Sequence, residues 1–445
     1  MAARQTLARL LLAALPLCAG DAPVDPAPTP APAAAESQAT GQDAAQEEEK
    51  AEAGRWRFRL RFSKQPSFRI RRVIRVDFRV KMQTDFRGYD EELDARELFD
   101  FNRRRIGIQG TFLRHFEFEV ERELREVANP WRDVFVNFNY LRRFQIRGGR
   151  FKIPFSLDQL TPPSDLDFVY RSRIADQLAP GRDLGIVAHG RLFQRDLRYE
   201  FGIFREDGDI ARLEDDTSGG ERTFAGRLTG TPFRRLPAPF KRLELGGAFA
   251  SSTVPVGLKG LRIRTASRDV IFPRIFVQGH RLRIGTDFDW NWGPVGLRGE
   301  FIHVSQERLG QGLRGNDIPN LVSRGWYLGG TWVVTGEKKS GGVNPKKEFP
   351  WKGIGEVELA ARYEAIRFGS AEHPGRPSRT PRAADILGNS DRLWTFGVNW
   401  YINRYVKVQV NAIRESIEDK LHPERTPVLG RGLFWMRVAR IQFVM

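Results

Sequence analysis

Long apolar runs are missing from this chain. After the first twenty residues no stretch is oily enough to cross a bilayer as a helix, which takes about 20 consecutive apolar residues. Cysteine is nearly absent too. Cys18 is the only one, so an internal disulfide framework and a thiolate metal site are excluded. Histidine is sparse and scattered, at His115, His189, His280, His303, His373 and His422, without the close spacing of a metal centre. No Ser–His nucleophile motif is present. The acids Glu206, Asp207, Asp209, Glu214, Asp215 and Asp216 lack the spacing of a calcium loop and read as solvated surface. No catalytic residue, metal or cofactor is therefore expected.

Positive charge, by contrast, is plentiful: 72 Lys and Arg against 55 Asp and Glu, for a net +17 over 445 residues. The mean hydropathy of −0.45 would suit a soluble protein. It would equally suit a transmembrane barrel, in which only alternate residues are apolar. Arg4 and Arg9 precede a short apolar stretch and the small residues Ala19 and Gly20, the pattern of a secretory signal peptide over 1–20. Residues 21–54 hold eight acids against Lys50, among many Ala and Pro. Such a segment cannot build a core and reads as a disordered linker. Residues 55–67 also alternate and read as an extra strand or a periplasmic segment; the barrel domain is expected over 68–445.

The segment 68–82 places Phe68, Ile70, Ile74, Val76, Phe78, Val80 and Met82 on one parity, with Arg69, Arg71, Arg75, Asp77, Arg79 and Lys81 on the other. Only Arg72 and Val73 break the rhythm. A strand has a side-chain period of two, so one face is greasy and the other cationic. An outward Arg at mid-membrane costs about 2–4 kcal/mol, so the charged face must turn toward an enclosed aqueous lumen. The same logic separates Phe116, Phe118 and Val120 from Glu117, Glu119 and Glu121. It likewise separates Trp394, Phe396, Val398 and Trp400 from Thr395, Gly397 and Asn399.

Sixteen such segments follow one another: 68–82, 104–113, 115–123, 132–141, 144–153, 183–192, 197–204, 222–230, 241–250, 281–290, 295–304, 326–335, 356–366, 394–402, 405–414 and 432–443. Gaps between them alternate short (114, 142–143, 193–196, 291–294, 403–404) and long (83–103, 154–182, 205–221, 251–280, 305–325, 367–393, 415–431). Residues 336–355 form a long gap where a short one is expected, and 268–278 is taken as loop. The fold class is thus all-β: a 16-stranded antiparallel transmembrane β-barrel with short periplasmic turns and long extracellular loops. Sixteen strands enclose a water-filled channel rather than a packed core. A bulge at Gly148–Gly149 is expected to bring Gln145, Arg147, Arg150 and Lys152 together inside, leaving Ile146, Phe151 and Ile153 outward. The loop after this strand carries Arg171, Arg173 and Arg182 and has the length to fold into the lumen. Rings of Arg and Lys select anions. The expected anion path is Arg75, Arg79, Lys81, Arg147, Arg150, Lys152, Arg171 and Arg173, against the plainer reading of wall cations neutralised by nearby acids.

The stretch Gly149–Leu157 (Gly-Arg-Phe-Lys-Ile-Pro-Phe-Ser-Leu) is followed by Leu160-Thr161 and by Asp167-Phe-Val-Tyr-Arg-Ser172. With Val76-Asp-Phe-Arg79, Gly181-Arg-Asp-Leu-Gly185, Thr335-Gly-Glu337 and Val398-Asn-Trp-Tyr-Ile-Asn403, it resembles the phosphate-selective porins of the O and P type. The resemblance implies a bacterial outer-membrane barrel, a homotrimer surrounded by outer-membrane lipid and lipopolysaccharide, passing small anions with phosphate or polyphosphate as candidate solutes. A general diffusion channel without phosphate selectivity is the alternative, and an outer-membrane barrel enzyme a more distant one. Nucleic acid is not an expected partner, because the basic residues are spread over many strands instead of gathered in a patch. A label attached through Arg79→Cys should react with water-soluble thiol reagents and escape quenching by lipid-borne probes; labelling only from the lipid phase would reverse the assigned faces.

Overall fold

The computed structural model describes residues 58–62, 65–71, 73–89, 99–126, 130–208, 222–255, 261–266, 270–339, 345–370, 389–418 and 433–445. The expected leader and acidic linker lie outside them. Period-two patterning resolves into twenty strands: β1 (Phe58–Phe62), β2 (Pro66–Ile70), β3 (Ile74–Tyr89), β4 (Phe99–Phe112), β5 (Phe116–Glu123), β6 (Trp131–Phe138), β7 (Gln145–Lys152), β8 (Arg182–Leu192), β9 (Leu197–Phe204), β10 (Thr223–Gly230), β11 (Glu244–Val254), β12 (Leu261–Arg264), β13 (Val270–Ile275), β14 (Gly279–Trp292), β15 (Val295–Arg308), β16 (Ile318–Val333), β17 (Glu356–Ser370), β18 (Asn389–Tyr401), β19 (Val406–Glu418) and β20 (Leu433–Val444).

Each strand from β3 to β11 pairs antiparallel with the next, β11 pairs β14, and the series continues to β20. β20 then returns to β3, Arg440 opposite Asp85 and Val444 opposite Lys81, and so closes a sixteen-stranded barrel. Closure leaves no free edge on the wall, the requirement for strands in hydrocarbon. The sixteen expected strands correspond one for one to the sixteen of the wall. Residues 268–278 contain β13, but it pairs with β12 as a separate ribbon and leaves the wall count unchanged.

The first segment differs from expectation. Arg71 adopts φ 47°, and the Val73 N–H donates to the Ile70 carbonyl at 3.2 Å. The break in rhythm therefore falls between two strands, β2 and β3, that pair antiparallel. Phe68 and Ile70 belong to β2, which pairs with residues 74–77 of β3 beyond the end of β20. β1 adds outside β2. Several strands also run past their expected ends. β3 and β16 have 16 residues each, where a membrane crossing takes about 9–11. Accordingly, 83–89 and 99–103 of one expected loop and 305–308 and 318–325 of another belong to strands.

The molecule is polar inside and apolar outside. On β18, Phe396 and Val398 are 47 % and 43 % exposed while Asn399 is fully buried. β7 departs from expectation. It pairs in unbroken register with β6 and β8, with Gly149 opposite Phe135 and Gly185, and no bulge forms. Parity is conserved, so Phe151 turns inward. It packs against Phe135 and Phe204 at ring distances of 6.0 and 5.6 Å, and Ile153 follows it into the core. Arg150 falls on the parity of exposed Ile146, opposite exposed Leu184; Lys152 shares that parity but, at the last position of β7, reaches the carbonyls of Leu160 and Thr161 in the segment that follows.

Gly149 sits at φ 132°, where a Cβ would come within 2.3 Å of the Val134 carbonyl oxygen. Only glycine tolerates both. Gly149→Val should sharply reduce the heat-modifiable, folded gel species, whereas a wild-type yield of that species would show that β7 can close by another path.

Candidate pore and its constriction

The segment 153–181 between β7 and β8 folds into the barrel. Two short helices frame it. α1 (Leu157–Leu160) is capped by the Ser156 hydroxyl, which accepts from Gln159 N, and α2 (Arg173–Gln177) by Ser172, which accepts from Ala175 N. Both use the same device, a Ser oxygen for an orphan N–H of the first turn. An apolar cluster of Phe155, Ile174 and Leu178 packs against wall residues including Val187, Ile302 and Ile366.

The run between the helices has no ladder partner, so wall side chains take its backbone groups. Lys407 donates to the carbonyls of Ser164 and Leu166 at 2.9 and 3.0 Å, and Asn399 to Asp167 at 2.8 Å. Arg440 donates to Val169 at 2.7 Å and Arg362 to Tyr170 at 3.2 Å. The Val169 N–H in turn donates to Asn411 Oδ1 at 2.7 Å. Buried peptide groups need such partners, and hydrogen bonds to charged groups contribute about 1.5–3 kcal/mol each. The donors come from β17, β18, β19 and β20, which fixes the segment against that wall. Arg440 is itself held by a fork onto Asp85 at 2.6 and 2.8 Å.

From the opposite end of the barrel, the long connection 334–355 contributes Lys339. Its ammonium lies 2.6 Å from Asp167 and 2.6 Å from Glu358. Burial works against the charged Lys339, but the two carboxylates outweigh it and raise its pKa. Burial likewise favours neutral Asp167, yet Lys339 and then Arg298 hold its carboxyl below the ordinary range.

The expected anion-path residues divide into groups. Arg75 bonds Asp77 (2.7 Å) near the short-turn end. Arg79 reaches Glu119 at 2.5 Å, and Lys81 pairs with Glu121. Arg173 lies buried against Asp391 at 3.4 Å, its own N–H donating to Glu364. These four are ion-paired. Arg150 donates to the Trp131 carbonyl on the outward parity. Arg147 lies over the rings of Phe135 and Phe151 at 4.9 and 5.5 Å.

Lys152 and Arg171 converge. Both donate to the Thr161 carbonyl oxygen, at 3.2 and 2.7 Å, and Arg171 Nη1 has no partner among the described residues. Arg105 and Arg182 are close enough to add repulsion at both. Arg103 donates to Gln83 at 2.6 Å and feels Arg105 and Arg171. Arg105 and Arg182 carry counter-ions: Glu121 and Glu123 at 3.0 and 2.8 Å, and Asp133 at 2.9 Å. Arg103, Lys152 and Arg171 have no carboxylate partner among the described residues.

Arg103 was outside the expected set because alternation placed it in a loop. The signal available was the run Arg103-Arg104-Arg105: β4 starts earlier than expected, and Arg103 shares the inward parity of Arg105, opposite Gln83.

A closed sixteen-stranded barrel with an apolar exterior, a charged lumen and an inserted third long loop is an outer-membrane channel of porin type. The chain belongs to the phosphate-selective porin O and P family, whose model matches residues 74–433. No curated protein matches it in sequence. Among solved structures it is similar to OmpT of Vibrio cholerae in its trimer form (TM-score 0.53, 10 % identity, 84 % of this chain and all of that one). It is also similar to the anion-selective porin of Comamonas acidovorans (TM-score 0.51, 15 % identity, 84 % of this chain and all of that one). The outer-membrane channel DcaP of Acinetobacter baumannii is similar as well (TM-score 0.50, 8 % identity, 84 % and 98 % covered). At these identities the likeness is one of fold.

Lys339→Met would leave Asp167 and Glu358 buried without their cation, a loss of about 3–5 kcal/mol. The variant should unfold at lower temperature in detergent and give noisier single-channel currents; unchanged values for both would mean that the inserted loop does not depend on this pair.

Proposed function

We infer that the channel passes small anions, phosphate among them, and that the cluster of Arg103, Lys152 and Arg171 at the inserted loop is where they are selected. The carrying observation is that these three cations meet beside the loop without carboxylates of their own among the described residues. An anion entering a narrowed lumen sheds part of its hydration, and fixed N–H donors replace it. Arg171 and Arg103 offer planar forks suited to phosphate oxygens, and Lys152 a point charge. The acids at Glu119, Glu121, Glu123 and Asp133 temper the field nearby, which keeps binding weak enough for release. Arg147 extends the path, and Arg75, Arg79 and Lys81 form a paired approach below it.

The anion selectivity in the name of the Comamonas acidovorans porin and the trimer in that of OmpT favour an anion-conducting homotrimer. Residues 1–20 would direct export, with 21–54 as a linker ahead of the barrel.

The paired wall cations also favour a second reading, a general diffusion channel with weak preference. Planar-bilayer recordings separate the two. Under a KCl gradient the wild type should show a reversal potential on the anion side, and phosphate should reduce the chloride current. Lys152→Ala combined with Arg171→Ala should lower the anion-to-cation permeability ratio severalfold and abolish phosphate block. Wild-type cation preference would overturn the anion path, and chloride current indifferent to phosphate would leave the general channel.

A further inference from the structure

The connection between β11 and β14 carries the β12–β13 ribbon, which folds inward. Ile275 and Val277 are fully buried in the apolar cluster that includes Ile302 of β15 and Leu321 of β16. Ala266, just past β12, packs on a second cluster, formed by Leu393 of β18, Ile413 of β19, Met436 and Val438 of β20, and Val169 of the inserted segment. The Ala266 N–H donates to Glu415 Oε2 on β19 at 2.8 Å. In the wall, β15–β18 stand between β14 and β19. The ribbon therefore bridges two separate parts of the long-loop rim and meets the inserted segment there.

Its acceptor has an acidic neighbour. Glu415 stands opposite Leu393, and Asp391 lies two residues from Leu393 on the same inward face. The two carboxyls are within hydrogen-bond reach of each other, and they are 0 % and 1 % exposed. Between each of them and the short-turn end lie residues 392–401 and 406–414, as many as a crossing takes (about 9–11). The pair thus sits at the outer boundary of the membrane-spanning wall. Asp391 Oδ2 accepts from Arg173 Nε at 3.4 Å, and Glu415 Oε2 from Ala266. Asp391 Oδ1 and Glu415 Oε1 have no donor. Ionised carboxylates only accept, so two of them in contact need a proton between them, and like charges this close cannot both ionise without cost.

The surroundings agree with one proton. Ile366 and Ile417, opposite Asp391, and Phe434, opposite Glu415, are buried and apolar. Arg173 of α2 is the only cation bonded to the pair among the described residues. Its own N–H goes to Glu364 of β17, which Arg362 holds at 2.9 Å. Asp176 of α2 is exposed and accepts from Gln177, and the Tyr170 hydroxyl accepts from Arg87. Two arginines therefore face three carboxyls, and a single proton brings the group to neutrality.

We propose that Asp391 and Glu415 form a proton-binding site that latches the β12–β13 ribbon at the mouth of the pore. With the proton between them, the carboxyls stay together and Glu415 presents Oε2 to Ala266. When the proton leaves to solvent, the two buried carboxylates repel, Glu415 turns toward water and Ala266 loses its acceptor. Burial and mutual repulsion hold the proton only while the ribbon is docked, so docking is strongest in acid and weakens as pH rises. The latch stands independently of the pore's selectivity.

The test uses the full-length protein, by single-channel recording in planar bilayers between pH 6 and pH 9 and by trypsin digestion of the folded protein in detergent. Wild-type conductance should rise at least twofold over this range, and trypsin should cut after Arg262 or Arg264 at pH 9 and not at pH 7. Glu415→Gln supplies an amide N–H to Asp391 and keeps an oxygen for Ala266. It should hold the low-pH conductance and the protease resistance throughout. Ala266→Pro removes the donor and should behave at pH 6 as the wild type does at pH 9. Both variants should keep the heat-modifiable gel band. Wild-type conductance and cleavage that do not change with pH overturn the proposal. So does a folded Glu415→Gln that titrates like wild type, which would put the titrating group elsewhere, or a folded Ala266→Pro that keeps the wild-type response.

Discussion

Hydrocarbon offers no hydrogen bonds to a peptide group, and everything else in this protein follows from that. A strand crossing the membrane must give both edges of its backbone to neighbours, so the sheet has to return upon itself. Here it does so where β20 meets β3. Even the leftover edge of β3 is occupied: the Val80 N–H donates to the Met445 carbonyl, the Val80 carbonyl accepts from the Met445 N–H, and β2 pairs with the residues beyond. The same requirement applied to the inserted segment 153–181 gives a different solution. Away from any ladder, its carbonyls are met one at a time by Lys, Arg, Asn and Gln side chains from the wall.

That second solution couples structure to function. A lumen wall able to hold a foreign stretch of backbone must be rich in donors, and most of the donors are cationic. Where the loop lies against β18–β20, those cations are used up on carbonyls, as with Lys407 and Arg440, or on acids, as with Arg173 and Asp391. Where it faces β3–β8, the acids Glu119, Glu121, Glu123 and Asp133 engage their own arginines and lysine, and among the described residues Arg103, Lys152 and Arg171, like Arg147 on its rings, have no carboxylate partner. The charge of the chain is therefore mostly structural.

Alternation made the wall legible in advance. A side-chain period of two, and the high cost of a guanidinium in lipid, assign each strand's faces without knowledge of its neighbours, and all sixteen wall strands were recoverable on that basis. The errors arose where local pattern was ambiguous. The broken rhythm at Arg72 and Val73 suited either a flaw in one strand or a turn between two. The glycine pair in β7 suited a bulge, but the pairing held its register and sent Phe151 inside. Paired inward cations such as Arg79 and Lys81 were visible as charged positions, whereas their partners Glu119 and Glu121 lie some forty residues away along the chain.

The amino-acid order on its own determined which elements form, which face of each meets lipid and which end carries the long loops, because all three depend on near-neighbour side-chain chemistry and on turn length. Tertiary structure alone decided which cations have no counter-ion among the described residues. It put Lys152 and Arg171 on one Thr161 carbonyl and stood Arg103 opposite Gln83 on the inward face of a longer β4. Those outcomes depend on distances between residues far apart along the backbone, and such distances exist only once the sheet has closed.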